Sequence, residues 1–246
     1  MKSILLIGVA AGAALATASN ETAPVTPDET GVIEGMVSFD GDRPDPLPPL
    51  SIGETEAKGC CPPGVEVDKT DRSLLIDEKG GICNVVVTLT AKDFERPAPE
   101  PVVLDQKHCR FEPSVVVVPV GAELKFHNSD EVNHNIHTYA KKNKALNNNV
   151  ASGSVASQTL DKDEEFEVKC DIHPWMLSNV YVTEATHWGV SGLDGKFRIE
   201  GVPPGTYKLE YWHGRLGKGK TEEITVTGGA TATADIQMGE KKKKRR

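Results

Sequence analysis

Cys170-Asp171-Ile172-His173-Pro174-Trp175-Met176 places a thiol, an imidazole and a thioether within seven residues. Phe166, Val168 and Cys170 alternate with Glu167 and Lys169, so a strand ends at Cys170, and Pro174 turns the chain that follows. Another imidazole stands upstream, in Asn128-Ser129-Asp130-Glu131-Val132-Asn133-His134-Asn135, on a loop that again follows a strand. A thiolate, two imidazoles and a thioether are the donor set of a type 1 (blue) copper centre: three strong donors in a plane and a long bond to the thioether that tunes the potential. Zinc prefers four strong donors and has little use for a thioether. The candidate ligands are His134, Cys170, His173 and Met176, for one copper ion. The bland alternative is chance proximity of core residues, with Met176 merely packed beyond the loop. The inward phase of Cys170 and the strand ahead of His134 argue against it. A dinuclear copper site needs two thiolates in this loop, and only Cys170 is present there.

The elements that must position these residues are strands. Ile33, Val37 and Phe39 share a phase, Val85 to Leu89 and Val115 to Val118 are dense β-branched runs, and Leu124 and Phe126 alternate with Lys125 and His127. Phe197/Ile199, Tyr207/Leu209/Tyr211, Ile224/Val226 and Ala232/Ala234/Ile236/Met238 keep the period of two. Asp40-Gly41, Gly80-Gly81, Asp194-Gly195, Pro203-Pro204-Gly205 and Gly228-Gly229 supply turns. No amphipathic helix is evident after the N-terminal segment, which predicts an all-β protein of sandwich type.

The remaining histidines carry weaker signals. His137 follows His134 by three residues and is either a further ligand or a hydrogen-bonded surface residue; the spacing favours the latter. His127 shares the phase of Lys125 and is expected at the surface, and His108, His187 and His213 are expected in structural or solvent roles. Cys60, Cys61, Cys83 and Cys109 remain for disulfides. Adjacent Cys60 and Cys61 do not suit a bond to each other, so each is expected to pair with Cys83 or Cys109. A redox or second metal role for Cys60-Cys61 is disfavoured, because the spacing is not Cys-x-x-Cys and no histidine is near in sequence.

Met1-Lys2-Ser3, the apolar run from Ile4 to Ala16 and Ala16-Thr17-Ala18 read as a secretory signal peptide over residues 1–18. The run is short for a bilayer span, which needs about 20 apolar residues, and no later stretch qualifies. The expected location is the periplasm or outside the cell, where disulfides persist. Residues 19–30 read as a linker and 240–246 as a basic tail, a solvated tag whose sharper alternative is a weak contact with an anionic envelope polymer or lipid. One basic residue lies in the leader and six in residues 241–246, which leaves 21 basic against 36 acidic residues in the rest. That balance argues against nucleic acid as a partner.

Cys170-x2-His173-x2-Met176 with His134-Asn135 upstream resembles the cupredoxins, the amicyanin/plastocyanin-like blue copper proteins, and the short ligand loop is most similar to the amicyanin type. Phe111-Glu112-Pro113, Val115 to Val118, Gly121, Leu124, Phe126 and Asn128-x-Asp130 resemble the first half of that fold, so the likeness covers about residues 100 to 183. It implies a Greek-key sandwich and copper-based electron transfer. It places His134, Cys170, His173 and Met176 at the ligand positions and Asn135 at one that braces the Cys-bearing loop.

Residues 192–209, with Asp194-Gly195, Phe197/Ile199, Pro204-Gly205 and Tyr207/Leu209, resemble the carboxypeptidase regulatory-like, or transthyretin-like, repeat. Its first two strands have counterparts far upstream, in Gly31 to Val37 and Asn84 to Leu89. The expectation is a cupredoxin domain (98–183) inserted into a transthyretin-like sandwich (31–97 and 184–239), with Asp42 to Asp71 a long loop held by disulfides. The competing arrangement is three consecutive modules, which would leave residues 31–95 short of strands.

The leading functional expectation is an exported one-electron carrier that serves an unidentified redox partner protein, with His173 as the near-surface ligand and Trp175 either beside the electron route or packed over the metal. The alternative is a binding or structural module with stored or structural copper. An enzyme is not expected, for there is no second metal cluster, nucleophile–base pair or phosphate-binding loop in the pattern.

Overall fold

The structure, a computed structural model, describes residues 29–240. The expected signal peptide, most of the linker and tail residues 241–246 lie outside the described residues. The described residues form seventeen strands and no α-helix, beginning with β1 (Gly31–Phe39) and β2 (Val86–Leu89). Nine follow: β3 (Val102–Lys107), β4 (Arg110–Glu112), β5 (Val115–Pro119), β6 (Glu123–Asn128), β7 (His134–Thr138), β8 (Asn147–Val150), β9 (Val155–Thr159), β10 (Glu164–Lys169) and β11 (Leu177–Thr183). Six more complete the order: β12 (His187–Val190), β13 (Lys196–Val202), β14 (Gly205–His213), β15 (Gly217–Val226), β16 (Thr231–Thr233) and β17 (Ile236–Met238).

Strand pairing joins the two ends of the chain into one sandwich. β1 runs antiparallel to β13, with Ile33 opposite Ile199, and parallel to β16 and β17. β2 lies between β12 and β14, and β15 flanks β14. Ile33, Val37, Val87, Leu89, Phe197, Ile199 and Leu209 meet in its core. The two halves also touch through turns. Gly195 has φ 76°, and a Cβ there would stand 2.6 Å from Gly81 Cα and from Val37 O, so only glycine fits.

β3 to β11 form a second sandwich, inserted between β2 and β12, of a β5-β11-β10-β7-β8 sheet and a β4-β3-β6-β9 sheet. Its parallel pairs, β5 with β11 and β3 with β6, require crossover connections rather than hairpins. The inward phases read from sequence hold for Leu124, Phe126, Phe166 and Val168, which build this core together with Leu104, Phe111 and Val180. The two sandwiches meet at a third apolar cluster of Val86, Val115, Val117, Tyr181 and Trp212, with Trp188 packed against it. This contact explains why all four residues of β2 are buried: Val87 and Leu89 face one core, and Val86 faces the inserted domain.

Residues 40–85 carry no named strand and wrap from the outer sandwich onto the inserted one. Ile52, Cys60 and Val67 join the inserted core, and Leu50, Ala57 and Cys61 pack against it. Cys60 bonds to Cys109, 49 residues away. A closed loop of about 50 residues stabilises by roughly 4 kcal/mol in the chain-entropy account. The expected second disulfide does not form. Cys83 is buried in the outer sandwich, where its thiol points to Ser191 O at 3.8 Å, and Cys61 stays with the inserted domain as a half-buried thiol. The two thiols thus lie with different sandwiches.

His213 is 2 % exposed, and its Nδ1 accepts the N–H groups of Arg215 and Leu216 at 3.2 and 3.3 Å. Burial, with the nearby Arg215 charge, pushes its pKa down to about 4. The neutral ring is the folded form, so its contribution is complete above the ordinary histidine value, about 6.5. That stability is lost as pH falls towards about 4. Denaturation at pH 7 and pH 5 is expected to show about 2 kcal/mol more loss in the wild type than in His213→Asn. Equal losses would remove His213 as the cause.

Candidate metal centre

β7 starts at His134, β10 ends one residue before Cys170, and the two strands pair through Val168–Thr138 and Lys169–His137. That register brings the start of β7 beside the loop from Cys170 to Met176. His134 Nδ1 faces His173 Nδ1 at 3.0 Å, and Cys170 Sγ lies 3.8 Å from His173 Nδ1. The three donor atoms lie within 4.8 Å of one another, and all three residues are buried. Donors bound to one metal at about 2.0 Å for nitrogen and about 2.3 Å for sulfur stand about 3 to 4 Å apart, so the spacing fits a single ion. Met176 is fully buried at the other end of the loop, and its N–H donates to His173 O at 2.9 Å.

Asp130 orients the first imidazole. Its Oδ2 lies 2.8 Å from His134 Nε2, so the Nε2–H is held there and the Nδ1 lone pair faces the other donors. The same carboxylate accepts the backbone N–H groups of His108 and Cys109. Those residues form the turn between β3 and β4, with φ of 53° and 51°. Two consecutive non-glycine residues in the left-handed region cost free energy, and the Asp130 carboxylate together with the Cys60–Cys109 bond offsets it. Asn128 fixes Asp130 in turn: its Oδ1 accepts the Asp130 N–H, while its Nδ2 donates to Val132 O and Val150 O. Burial acts to raise the Asp130 pKa, but the hydrogen bonds from His134, Cys109 and His108 hold it below the usual carboxylate range. Asp130→Asn is expected to weaken copper binding by about 10- to 100-fold, measured by competition with a chelator. Unchanged affinity would remove Asp130 as a positioning residue.

The sulfur sits among donors. Asn135 N–H points at Cys170 Sγ from 3.5 Å. Burial raises the thiol pKa, but the neighbouring His134 and His173 imidazoles and the Asn135 N–H outweigh it and bring it down to about 6. A thiolate therefore exists near neutral pH, as a soft metal ligand requires. The Asn135 side chain braces the loop: its Oδ1 accepts the Asp171 N–H, and its Nδ2 reaches Asn147 Oδ1 and Asp171 Oδ2.

His173, expected near the surface, is only 7 % exposed, although its neighbours Ile172 and Pro174 are exposed. Trp175 packs its ring 5.2 Å from the His173 ring and donates from Nε1 to Cys109 O at 3.0 Å. His137 stays outside the donor group: its Nδ1 meets Asp171 at 3.0 Å and its ring stacks on Tyr139. His127 lies at the surface with Asp105 and Ser129, and His187 is buried with Nε2 on Gly201 O. The role of Asp130 was missed from sequence. An acid four residues before a candidate ligand histidine was the only available signal, and on a loop that spacing fixes no geometry.

Residues 101–183 match the family model of copper binding proteins, plastocyanin/azurin family, and residues 176–239 match that of the carboxypeptidase regulatory-like domain. Similar solved structures include a purple cupredoxin from Nitrosopumilus maritimus, 20% identical over 33% of this chain and 99% of that one, with a TM-score of 0.30. A Cu-containing nitrite reductase from Thermus scotoductus SA-01 is 23% identical over 39% of this chain and 25% of its own, at TM-score 0.33. The M98A mutant of amicyanin in the Cu(I) form is 21% identical over 39% of this chain and 98% of its own, at TM-score 0.32. A comparison with curated protein sequences finds no match.

Proposed function

We propose that this protein is an exported one-electron carrier with one type 1 copper ion, held by His134, Cys170, His173 and Met176. The convergence of His134 Nδ1, His173 Nδ1 and Cys170 Sγ in one buried pocket carries the reading. The matched family of residues 101–183 supports copper as the metal. Copper, when bound, supplies a one-electron Cu(I)/Cu(II) couple.

The chain's own groups keep the pocket the same in both oxidation states. Asp130 fixes the His134 ring, the Asn135 N–H bonds the thiolate, and Asn135 ties Asp171 so that the loop cannot reorganise around the sulfur. Trp175 and the Cys60–Cys109 segment pack about the His173 ring and exclude water. Exposed Ile172 and Pro174 flank His173 and offer a small apolar rim to a redox partner protein. A disulfide in the fold is in keeping with an oxidising compartment.

Copper-loaded protein lacking residues 1–18 is expected to show an intense visible thiolate-to-Cu(II) absorption and a reversible one-electron wave. A folded, copper-replete protein without that absorption would sink the type 1 assignment. Absorption without a reversible wave would point to stored or structural copper.

A further inference from the structure

The long segment between β1 and β2 meets the metal pocket through sulfur. Cys60 Sγ, Cys109 Sγ and a ring nitrogen of His173 lie within 4.8 Å of one another, all in buried residues. Cys109 Sγ also lies within 4.8 Å of the Asp130 carboxylate and the His134 ring. The disulfide is thus packed beside the imidazoles, whereas a disulfide serving only as a staple for the loop needs no such neighbour. The segment on either side of Cys60 is mostly exposed and carries no strand; it is held down by a few apolar contacts, by the Arg110 hydrogen bonds to Asp68 O and Thr70 O with the Arg72–Glu112 ion pair further along, and by this one covalent bond.

We infer that reduction of Cys60–Cys109 converts this cap into a second soft-metal site, two thiolates and the His173 imidazole, that takes Cu(I). The chemistry balances with an exported dithiol as reductant. The Cys60–Cys109 S–S bond breaks and takes up two electrons and two protons, and the dithiol becomes a disulfide. Both new thiols release their protons to solvent as Cu(I) binds. Thiolates select soft ions, and Cu(I) is served by fewer donors than the four that Zn(II) prefers. Asp130, the hard donor nearest Cys109, is already engaged by His134 and two backbone N–H groups. Local opening of the strandless segment gives the reductant access, since such segments open at low free-energy cost. The site shares His173 with the proposed centre, so it places Cu(I) directly beside His134 and Cys170.

The inference rests on the placement of the disulfide and His173, not on the electron-carrier reading. Its test uses the full chain with Cys170→Ser, which removes the thiolate of the first centre. The variant is reduced with a phosphine, freed of it without air, and titrated with Cu(I) against a chromophoric Cu(I) chelator. The unreduced variant, which keeps Cys61 and Cys83 as thiols, is the reference. The expected result is about one additional Cu(I) per chain after reduction, with Cys60 and Cys109 protected from alkylation by that Cu(I). Equal uptake before and after reduction would overturn it. So would extra uptake that survives Cys60→Ser and Cys109→Ser, or loss of the β circular dichroism on reduction. The visible spectrum of the wild type reports on the electron-carrier reading alone, so the two failures are distinguishable.

Discussion

Cys170→Ser is expected to abolish the visible absorption of the copper-loaded protein while the chain remains folded. The absorption belongs to a sulfur-to-metal transition, and the donor group contains one thiolate, Cys170. Serine fits the pocket and keeps an acceptor for the Asn135 N–H, so the cost to folding is about 1 kcal/mol. The cost to copper binding is larger. Losing only the hydrogen-bond partner of a ligand weakens binding by about 10- to 100-fold, and here a ligand atom itself is removed. Titration with a chelator is therefore expected to show a loss beyond that range, with unchanged far-ultraviolet circular dichroism. A variant that keeps both colour and affinity would mean that the copper sits elsewhere.

The second large effect is on potential. Met176→Leu keeps the volume of a fully buried side chain and costs less than about 1.5 kcal/mol in packing. His134, Cys170 and His173 remain to bind copper, so the colour persists. The thioether donates more to Cu(II) than to Cu(I), so its removal raises the reduction potential. Each tenfold loss of preference for Cu(II) corresponds to about 59 mV, and a rise of at least that size is expected in a redox titration. An unchanged potential would make Met176 a packing residue and remove it from the ligands. His134→Ala acts differently: it opens the plane of strong donors to water and strips the buried Asp130 carboxylate of its imidazole partner, so colour and copper affinity fall together.

Much of this was readable from the chain alone, because it follows from local pattern. The period of two in Leu124/Phe126 and Phe166/Val168/Cys170 determined which side chains face the inner core. The Cys170, His173 and Met176 spacing set the soft donors on one loop, and the distant likeness of residues 31–37 and 84–89 to the missing strands of residues 192–209 announced the insertion, which the pairing of β1 with β13 and of β2 with β12 and β14 displays.

Other properties depend on which distant segments meet. Cys83 looked equivalent to Cys109 as a disulfide partner, but it is buried against Ser191 of the outer sandwich, while Cys109 joins the inserted core. His173 was expected near the surface; Trp175 and the Cys60–Cys109 disulfide pack against its ring and leave it 7 % exposed. Asp130 looked like one polar residue in a polar loop. Only the turn at His108 and Cys109, brought against it by β3 and β4, turns it into the group that orients His134. Spacing along a strand determines a side chain's phase, because the backbone itself repeats. Contacts between loops have no such repeat, so tertiary packing alone decided the disulfide, the cover over His173 and the anchor of His134.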